Sequence, residues 1–183
     1  MTAAGTGRPD DARLRAAFAV VERAIEDRWG IPVVVSDVKN PFTGDLDGAE
    51  IKVDYDLTAE DALFIVVHLF GHTAQWNTSA AARELGRHPG PWTDDVIARV
   101  KAYELEAARY SLQLFHDCGV DDLDGWLSDF SACDLAYLEH FYRTGERGDF
   151  RRFWQDGAPR LTPLAIPPFT PQRWLARWDG VVI

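Results

Sequence analysis

The chain has 183 residues, 46% of them hydrophobic, and a formal net charge of −10. This charge disfavours a nucleic-acid interface, which needs a basic stripe, and equally disfavours anionic membranes. No basic-then-apolar leader opens the sequence and no apolar run approaches about 18 residues, so neither secretion nor a membrane span is expected. We predict a cytoplasmic protein in which Cys118 and Cys133 are reduced thiols.

The first third of the sequence predicts one helix and a small sheet. Residues 1–9 are small and polar, and we expect them to be disordered. Apolar positions recur at helical spacing over residues 10–29, which predicts an amphipathic helix. Residues 31–35 and 49–55 are rich in β-branched side chains and predict two strands, with Tyr55 on the buried face of the second. The turn-rich stretch between them, residues 40–48, predicts a loop.

The remainder of the sequence is predominantly helical. Capping signals and apolar periodicity predict helices over residues 58–76, 93–117, 121–128 and 131–143. The stretch 157–183 is rich in proline but also apolar, so we predict an extended segment packed on the body. Residues 10–156 then form a single domain of the α+β class, a mainly helical body with a small β-sheet.

Two histidines in the helix predicted for residues 58–76 suggest a metal site. His68 and His72 are four residues apart, so they share one helix face one turn apart. Imidazoles at this spacing can bind one zinc ion through Zn–N bonds of about 2.0–2.1 Å. The next long helix offers Glu104 as a third ligand, followed by small residues that would allow a close approach. Glu106 would point about 200° away from Glu104 and is expected in solvent.

This order of elements resembles the ImmA/IrrE family of gluzincin-type zinc metallopeptidases. The shared features are a strand of the type AEIKVDY, a helix reaching H-x-x-x-H, and a second helix with E-x-x-A followed by Tyr110-Ser111. The similarity spans roughly residues 31–115. It implies a zincin-like core and one zinc ion held by His68, His72 and Glu104.

One position departs from the family motif H-E-x-x-H. The sequence here is HLFGH, so Leu69 replaces the glutamate that acts as the general base. Loss of a general base typically costs about 10²–10⁴ in rate. Ordinary peptidase activity is therefore not expected from these residues.

Other residues are candidates for the missing catalytic role. Gln75 lies on the histidine face one turn after His72, although an amide is a poor base. Asp134, Tyr137 and His140 are spaced three apart on the helix predicted for residues 131–143, so one stripe could face the site. Each could donate to an oxyanion or orient a ligand. Their structural alternatives are a helix cap, a packed aromatic and an exposed histidine.

Four functional hypotheses remain open at this stage. The first is a zinc-dependent, hydrolase-like or repurposed enzyme acting on a small molecule or a peptide. The second keeps the two histidines and the carboxylate but binds iron, as in non-haem Fe(II) enzymes. The third is an inactive pseudo-peptidase that serves as a binding or sensor module, and the fourth is an accidental triad that binds no metal. The oligomeric state is not predicted.

Overall fold

The computed structural model describes residues 8–175 and 181–182. Nearly all of the stretch predicted to be disordered, residues 1–7, and part of the predicted C-terminal segment, residues 176–180 and 183, lie outside the described residues. The helices are α1 (Asp11–Trp29), α2 (Ala59–Thr78), α3 (Ala80–Gly86), α4 (Asp94–Asp117) and α5 (Asp124–Thr144), with a short 3₁₀ helix at Phe150–Phe153. The strands are β1 (Val33–Ser36), β2 (Gly44–Leu46), β3 (Ile51–Asp54) and β4 (Val181–Val182). The predicted α+β class, mainly helical with a small sheet, is confirmed.

The starts of the two long helices that carry the histidines and Glu104 follow capping signals in the sequence. Thr58 accepts a hydrogen bond from the backbone N–H of Asp61, and Thr93 accepts one from that of Val96. A side-chain oxygen at this position satisfies a backbone donor that the first helical turn leaves unpaired. The predicted boundaries of α2 and α4 are therefore correct to within about two residues at each end.

The sheet contains a strand that the sequence did not reveal. Its order is β1-β3-β2-β4, in which β1 is parallel to β3 while β2 is antiparallel to both β3 and β4. Residues 40–48 were predicted as a loop, which is wrong for the three residues of β2. Their pairing with β3 and the burial of Leu46 outweigh the turn-forming residues around them. Tyr55 lies beyond the end of β3 and is 60% exposed, so its predicted burial is also wrong.

Helix α5 is continuous where the sequence predicted two helices, over residues 121–128 and 131–143. Ser128 does not interrupt it, because its hydroxyl donates to the carbonyl of Asp124 one turn earlier. The same oxygen accepts the backbone N–H of Leu161 from the C-terminal segment. As a result Asp134, predicted at a helix start, lies in the middle of α5 and faces the interior.

Helix α2 is buried along most of its length and packs against α4 at unusually short range. A Cβ atom at Gly71 would collide with the backbone of Ala107, so only glycine allows this crossing. One turn away, the hydroxyl of Ser111 donates to the carbonyl of Val67 over 2.8 Å. These two contacts fix the separation of the helices beside the histidines.

The described part of the proline-rich segment, residues 157–175, has no helix or strand and hydrogen-bonds to the body. Leu164 N–H donates to the carbonyl of Arg109 over 3.2 Å, and Trp174 N–H donates to that of Asp47 over 2.8 Å. Within the described residues, no helix combines the length and the apolar character that a bilayer crossing requires.

Candidate metal centre

Helices α2 and α4 bring the three predicted ligands to one point. The Nε2 atom of His72 lies 3.1 Å from Nε2 of His68 and 3.0 Å from Oε2 of Glu104. The third side of the triangle, from His68 Nε2 to Glu104 Oε2, is 3.6 Å. Both histidines are 4% exposed and the glutamate side chain is 11% exposed. Three donor atoms therefore converge in a nearly water-free environment.

The triangle has the dimensions of a tetrahedral metal site. Bonds of about 2.0–2.1 Å in tetrahedral geometry place neighbouring donor atoms roughly 3.3–3.4 Å apart. The three observed separations, 3.0, 3.1 and 3.6 Å, lie on both sides of that value. Among the described residues, this is the one group of three or more histidine, cysteine, aspartate or glutamate side chains placed to share an ion. The donor set fits zinc, and two histidines with one carboxylate also fit iron(II).

Gln75 fixes the tautomer of His72. Its Nε2 donates to the carbonyl of Tyr103 over 2.9 Å and to the carboxylate of Glu106 over 2.7 Å. Because both partners can only accept, the amide oxygen must face the other way, 2.8 Å from Nδ1 of His72. Nδ1 therefore carries the hydrogen and Nε2 is the nitrogen left for a metal. Gln75 was predicted on this face, and the structure gives it an orienting position.

Glu106 is the one site residue that the sequence analysis placed outside the site. Its side chain is exposed, as expected from its direction on α4, yet its carboxylate binds the Gln75 amide. The crossing of α2 and α4 is so close that Gln75 reaches over the flank of α4. No periodicity signal reports such a contact, because it depends on the distance between two helices. Glu106 thus acts through Gln75 on the orientation of His72.

Burial and mutual charge set the protonation of the triad. Burial, with a smaller effect of the neighbouring His72, lowers the pKa of His68 to about 3, so its imidazole is neutral. Burial also opposes charge on His72, but the Glu104 carboxylate and its hydrogen bonds outweigh burial and raise the pKa. The pKa of Glu104 is lowered because His72 overcomes the effect of burial. A metal ion at this point would take the place of the proton on His72 Nε2.

Two cavities meet at the triad. The larger, of about 440 Å³, lies among α2, α5, the 3₁₀ helix and the turn before β2, and the smaller, of about 220 Å³, lies towards α4 and the C-terminal segment. Phe64, His68 and Asp134 line both, and Glu104 lines the smaller. The larger volume falls within the range of small-molecule sites, about 300–1,000 Å³. A ligand there would contact His68 directly.

The three candidates on α5 have different surroundings. Asp134 lines both cavities beside His68, and burial, together with the negative charge of Glu104, raises its pKa to about 8. Tyr137 lines the larger cavity and packs edge-on against Phe150 at 5.6 Å between ring centres. His140 packs against Phe153 at 5.3 Å and lines neither cavity. Of the three residues predicted to face the site, Asp134 and Tyr137 therefore line the larger cavity and His140 does not.

Leu69 is directed away from the centre. It is fully buried, and its Cδ1 packs so close under strand β2 that a Cβ at Gly44 would lie only 2.7 Å from it. It lines neither cavity. At about 100° per residue, the position after His68 turns from α4 towards the sheet. A side chain at this position belongs to the core.

Comparison of the chain with protein-family models, with curated proteins and with solved structures finds no match. The similarity to ImmA/IrrE peptidases therefore stays a prediction that depends on the motif alone.

Proposed function

We propose that this protein binds one divalent metal ion, with zinc as the expected ion, through His68, His72 and Glu104. The bound ion would serve a hydrolase-like or related reaction on a small molecule held in the larger cavity. On this view the core is zincin-like, as the motif order suggested. The observation that carries the proposal is the triangle of two Nε2 atoms and one carboxylate oxygen at the wall of a 440 Å³ cavity.

The alternative of an accidental triad explains the geometry less well. His72 and Glu104 satisfy each other as a buried pair, but the neutral imidazole of His68 is costly to bury beside them unless it too has a partner. The chain also supplies Gln75, which holds His72 in the tautomer that exposes Nε2. An orienting partner of this kind is typical of histidines that bind a metal.

In the proposed reaction, different residues would transfer protons, orient the metal ligands and exclude water. A bound zinc ion would supply Lewis acidity and would lower the pKa of water at the site to about 7. Asp134 stands beside His68 in both cavities, where its carboxyl group can accept or return a proton. Gln75 and Glu106 hold His72 in place, and the aromatic walls of the larger cavity exclude water from the substrate. The base that the motif lacks at Leu69 thus comes from α5.

Metal analysis tests the first part of the proposal. The full chain is purified without chelators, once in air and once without oxygen, and its metal content is measured by mass spectrometry. One equivalent of zinc is expected, and one equivalent of iron from the anaerobic preparation would favour the Fe(II) alternative. His68→Ala and Glu104→Ala should lose the metal, whereas His116→Ala should retain it because His116 bonds Asp124 elsewhere. Equal metal content in all of these proteins would refute the site.

Activity measurements separate an enzyme from a binding or sensor module. Zinc-loaded protein is incubated with a panel of small esters and amides, and hydrolysis is followed with Glu104→Ala and Asp134→Asn as comparisons. Catalysis is supported by an activity that both substitutions abolish. Adding zinc should restore that activity to metal-free wild-type protein but not to either variant. A protein that holds zinc, raises its melting temperature on loading and hydrolyses none of the panel would favour the non-catalytic module.

A further inference from the structure

The larger cavity has a distinctive lining that bears on its ligand. Its walls are mainly aromatic, with Phe42, Phe64, Phe130, Phe141, Phe150 and Tyr142 among them. The rings form a continuous surface from the triad outward: His68 stacks on Phe64 at 5.1 Å, and Phe64 stacks on Phe130 at 4.0 Å. Such walls favour an apolar, flat ligand body, because ring faces offer large contact area with defined stacking geometry.

Two arginines line the same cavity, and neither is fully matched by protein groups. Nη2 of Arg151 donates to Glu60 over 2.8 Å and to Asp61 over 3.1 Å. Its Nη1 is buried and has no hydrogen-bond partner, although the side chain as a whole is 38% exposed. A buried charged donor without an acceptor is costly and calls for an explanation.

Arg147 provides a second cation. Its guanidinium lies over the rings of Phe42 at 5.5 Å and Phe141 at 5.7 Å. Among the residues that the structure describes, no carboxylate pairs with it. Arg143, four residues earlier on α5 and outside the cavity, is instead paired with Glu139 and Asp94. Arg147 is thus a cation on an aromatic rim with capacity to bind an anion.

The nearby carboxylates of Glu60 and Asp61 pair with Arg151 through Nη2, but they leave its Nη1 and the whole of Arg147 without an acceptor. Both oxygens of Asp61 are already engaged, one by Arg151 over 3.1 Å and the other by the hydroxyl of Thr58 over 2.8 Å. Asp134 lines both cavities, as His68 does. Nη1 of Arg151 is buried without an acceptor among the described residues and Arg147 is exposed on the rim, so both are free to bind the anionic group of a ligand.

We infer that the larger cavity binds a small organic acid, with an apolar, aromatic body on the phenylalanine wall and its anionic group on Arg147 and Arg151 Nη1. This assignment rests on the proposed function in placing the substrate in that cavity, and it adds the chemical class. Planar guanidinium groups suit carboxylate and phosphate alike. The end of the ligand away from the anion would then face His68 and the metal centre.

Three isosteric probes test the inference by calorimetry: 3-phenylpropionate, 3-phenylpropionamide and 3-phenylpropylamine. The acid should bind at least about tenfold more tightly than the amide, since a charge-assisted contact to arginine is worth about that factor. The amine should bind most weakly. A net charge of −10 disfavours non-specific binding of anions, so a preference for the acid reports the local arginines.

Variants locate the preference. Arg147→Gln should bring acid and amide to within about threefold of each other. Arg143→Gln, the matched control, should leave the preference intact. Arg151→Lys keeps a cation for Glu60 and Asp61 but removes the second nitrogen, so the acid should again lose affinity while thermal denaturation reports an intact fold.

The outcomes separate this inference from the metal proposal. Titrations are run on both metal-free and zinc-loaded protein. A preference for the acid in metal-free protein, lost in Arg147→Gln, supports the inference even where zinc fails to bind. Equal affinity for acid and amide, no binding of any probe, or a preference that needs zinc and survives Arg147→Gln overturns it. In the last case the carboxylate is bound by the metal, and the metal proposal stands alone.

Discussion

Replacing Gln75 with leucine should weaken metal binding although none of the three ligands is changed. The Gln75 amide oxygen lies 2.8 Å from Nδ1 of His72, and its nitrogen is held by the Tyr103 carbonyl and the Glu106 carboxylate. Leucine has a similar volume but accepts no hydrogen bond. His72 could then carry its proton on Nε2, where Glu104 accepts it over 3.0 Å, and that form cannot bind a metal.

Two routes give the size of the effect. Loss of an orienting partner of a metal-bound histidine typically costs about 10–100-fold in affinity. A buried donor left without an acceptor costs about 1–3 kcal/mol, and about 1.4 kcal/mol corresponds to a factor of ten. The two agree, so Gln75→Leu should raise the dissociation constant for zinc by about one to two orders of magnitude.

Competition against a coloured zinc chelator measures this change. Gln113→Leu is the matched control, because Gln113 lies on α4 and bonds Asp117 at the surface, over 2.8 Å. Its affinity for zinc should equal that of the wild type. If Gln75→Leu also binds zinc within about twofold of the wild type while His72→Ala does not bind it, the tautomer argument is refuted.

Three further substitutions test the packing and the charges around the site. Gly71→Ala should lower stability by about 1–3 kcal/mol in thermal denaturation and weaken zinc binding, since its methyl group meets the α4 backbone. Gly148→Ala is the control and should do neither, because a Cβ there would make only ordinary van der Waals contacts. Leu69→Glu should lower the melting temperature and give no peptidase activity, because it buries a carboxylate under the sheet. A Leu69→Glu protein that folds and acts as a protease would contradict this position of the side chain. Asp134→Asn should stabilise metal-free protein by up to about 5 kcal/mol at pH 8–9 but not near pH 4, because each unit of a raised pKa costs about 1.4 kcal/mol. Because the pKa of Asp134 is raised to about 8, the folded state favours the protonated form, and wild-type stability falls as pH rises from about 4 through 8. If the stabilities of the wild type and of Asp134→Asn, measured by calorimetry, change in parallel with pH, this reasoning is refuted.

Helical periodicity was sufficient to predict the triad. The spacing of four residues from His68 to His72 fixes their shared face, and small residues after Glu104 indicated where a second helix could approach. Both inferences use only the geometry of a regular helix, which varies little from one protein to another. The convergence of these three side chains in the structure follows directly from that geometry.

The parts that the sequence did not predict depend on neighbours distant in the chain. Strand β2 has three residues and exists because β3 and β4 pair with it on both sides. The hydroxyl of Ser128 inside α5 accepts the backbone N–H of Leu161, which lies far along the chain. Glu106 belongs to the site because its carboxylate accepts a hydrogen bond from the side-chain amide of Gln75. Local propensity cannot report any of these contacts, since each forms only after the chain has folded.

The position of Leu69 explains why leucine stands where the H-E-x-x-H motif has glutamate. A base at the residue after the first histidine would need a helix face open to the substrate, but here that face is covered by β2 and the side chain packs near Gly44. The substitution is therefore part of the packing of the core. A proton acceptor must enter from another element, and Asp134 on α5 lines both cavities beside His68. Loss of activity in Asp134→Asn, with zinc affinity unchanged, would separate this arrangement from a disabled peptidase.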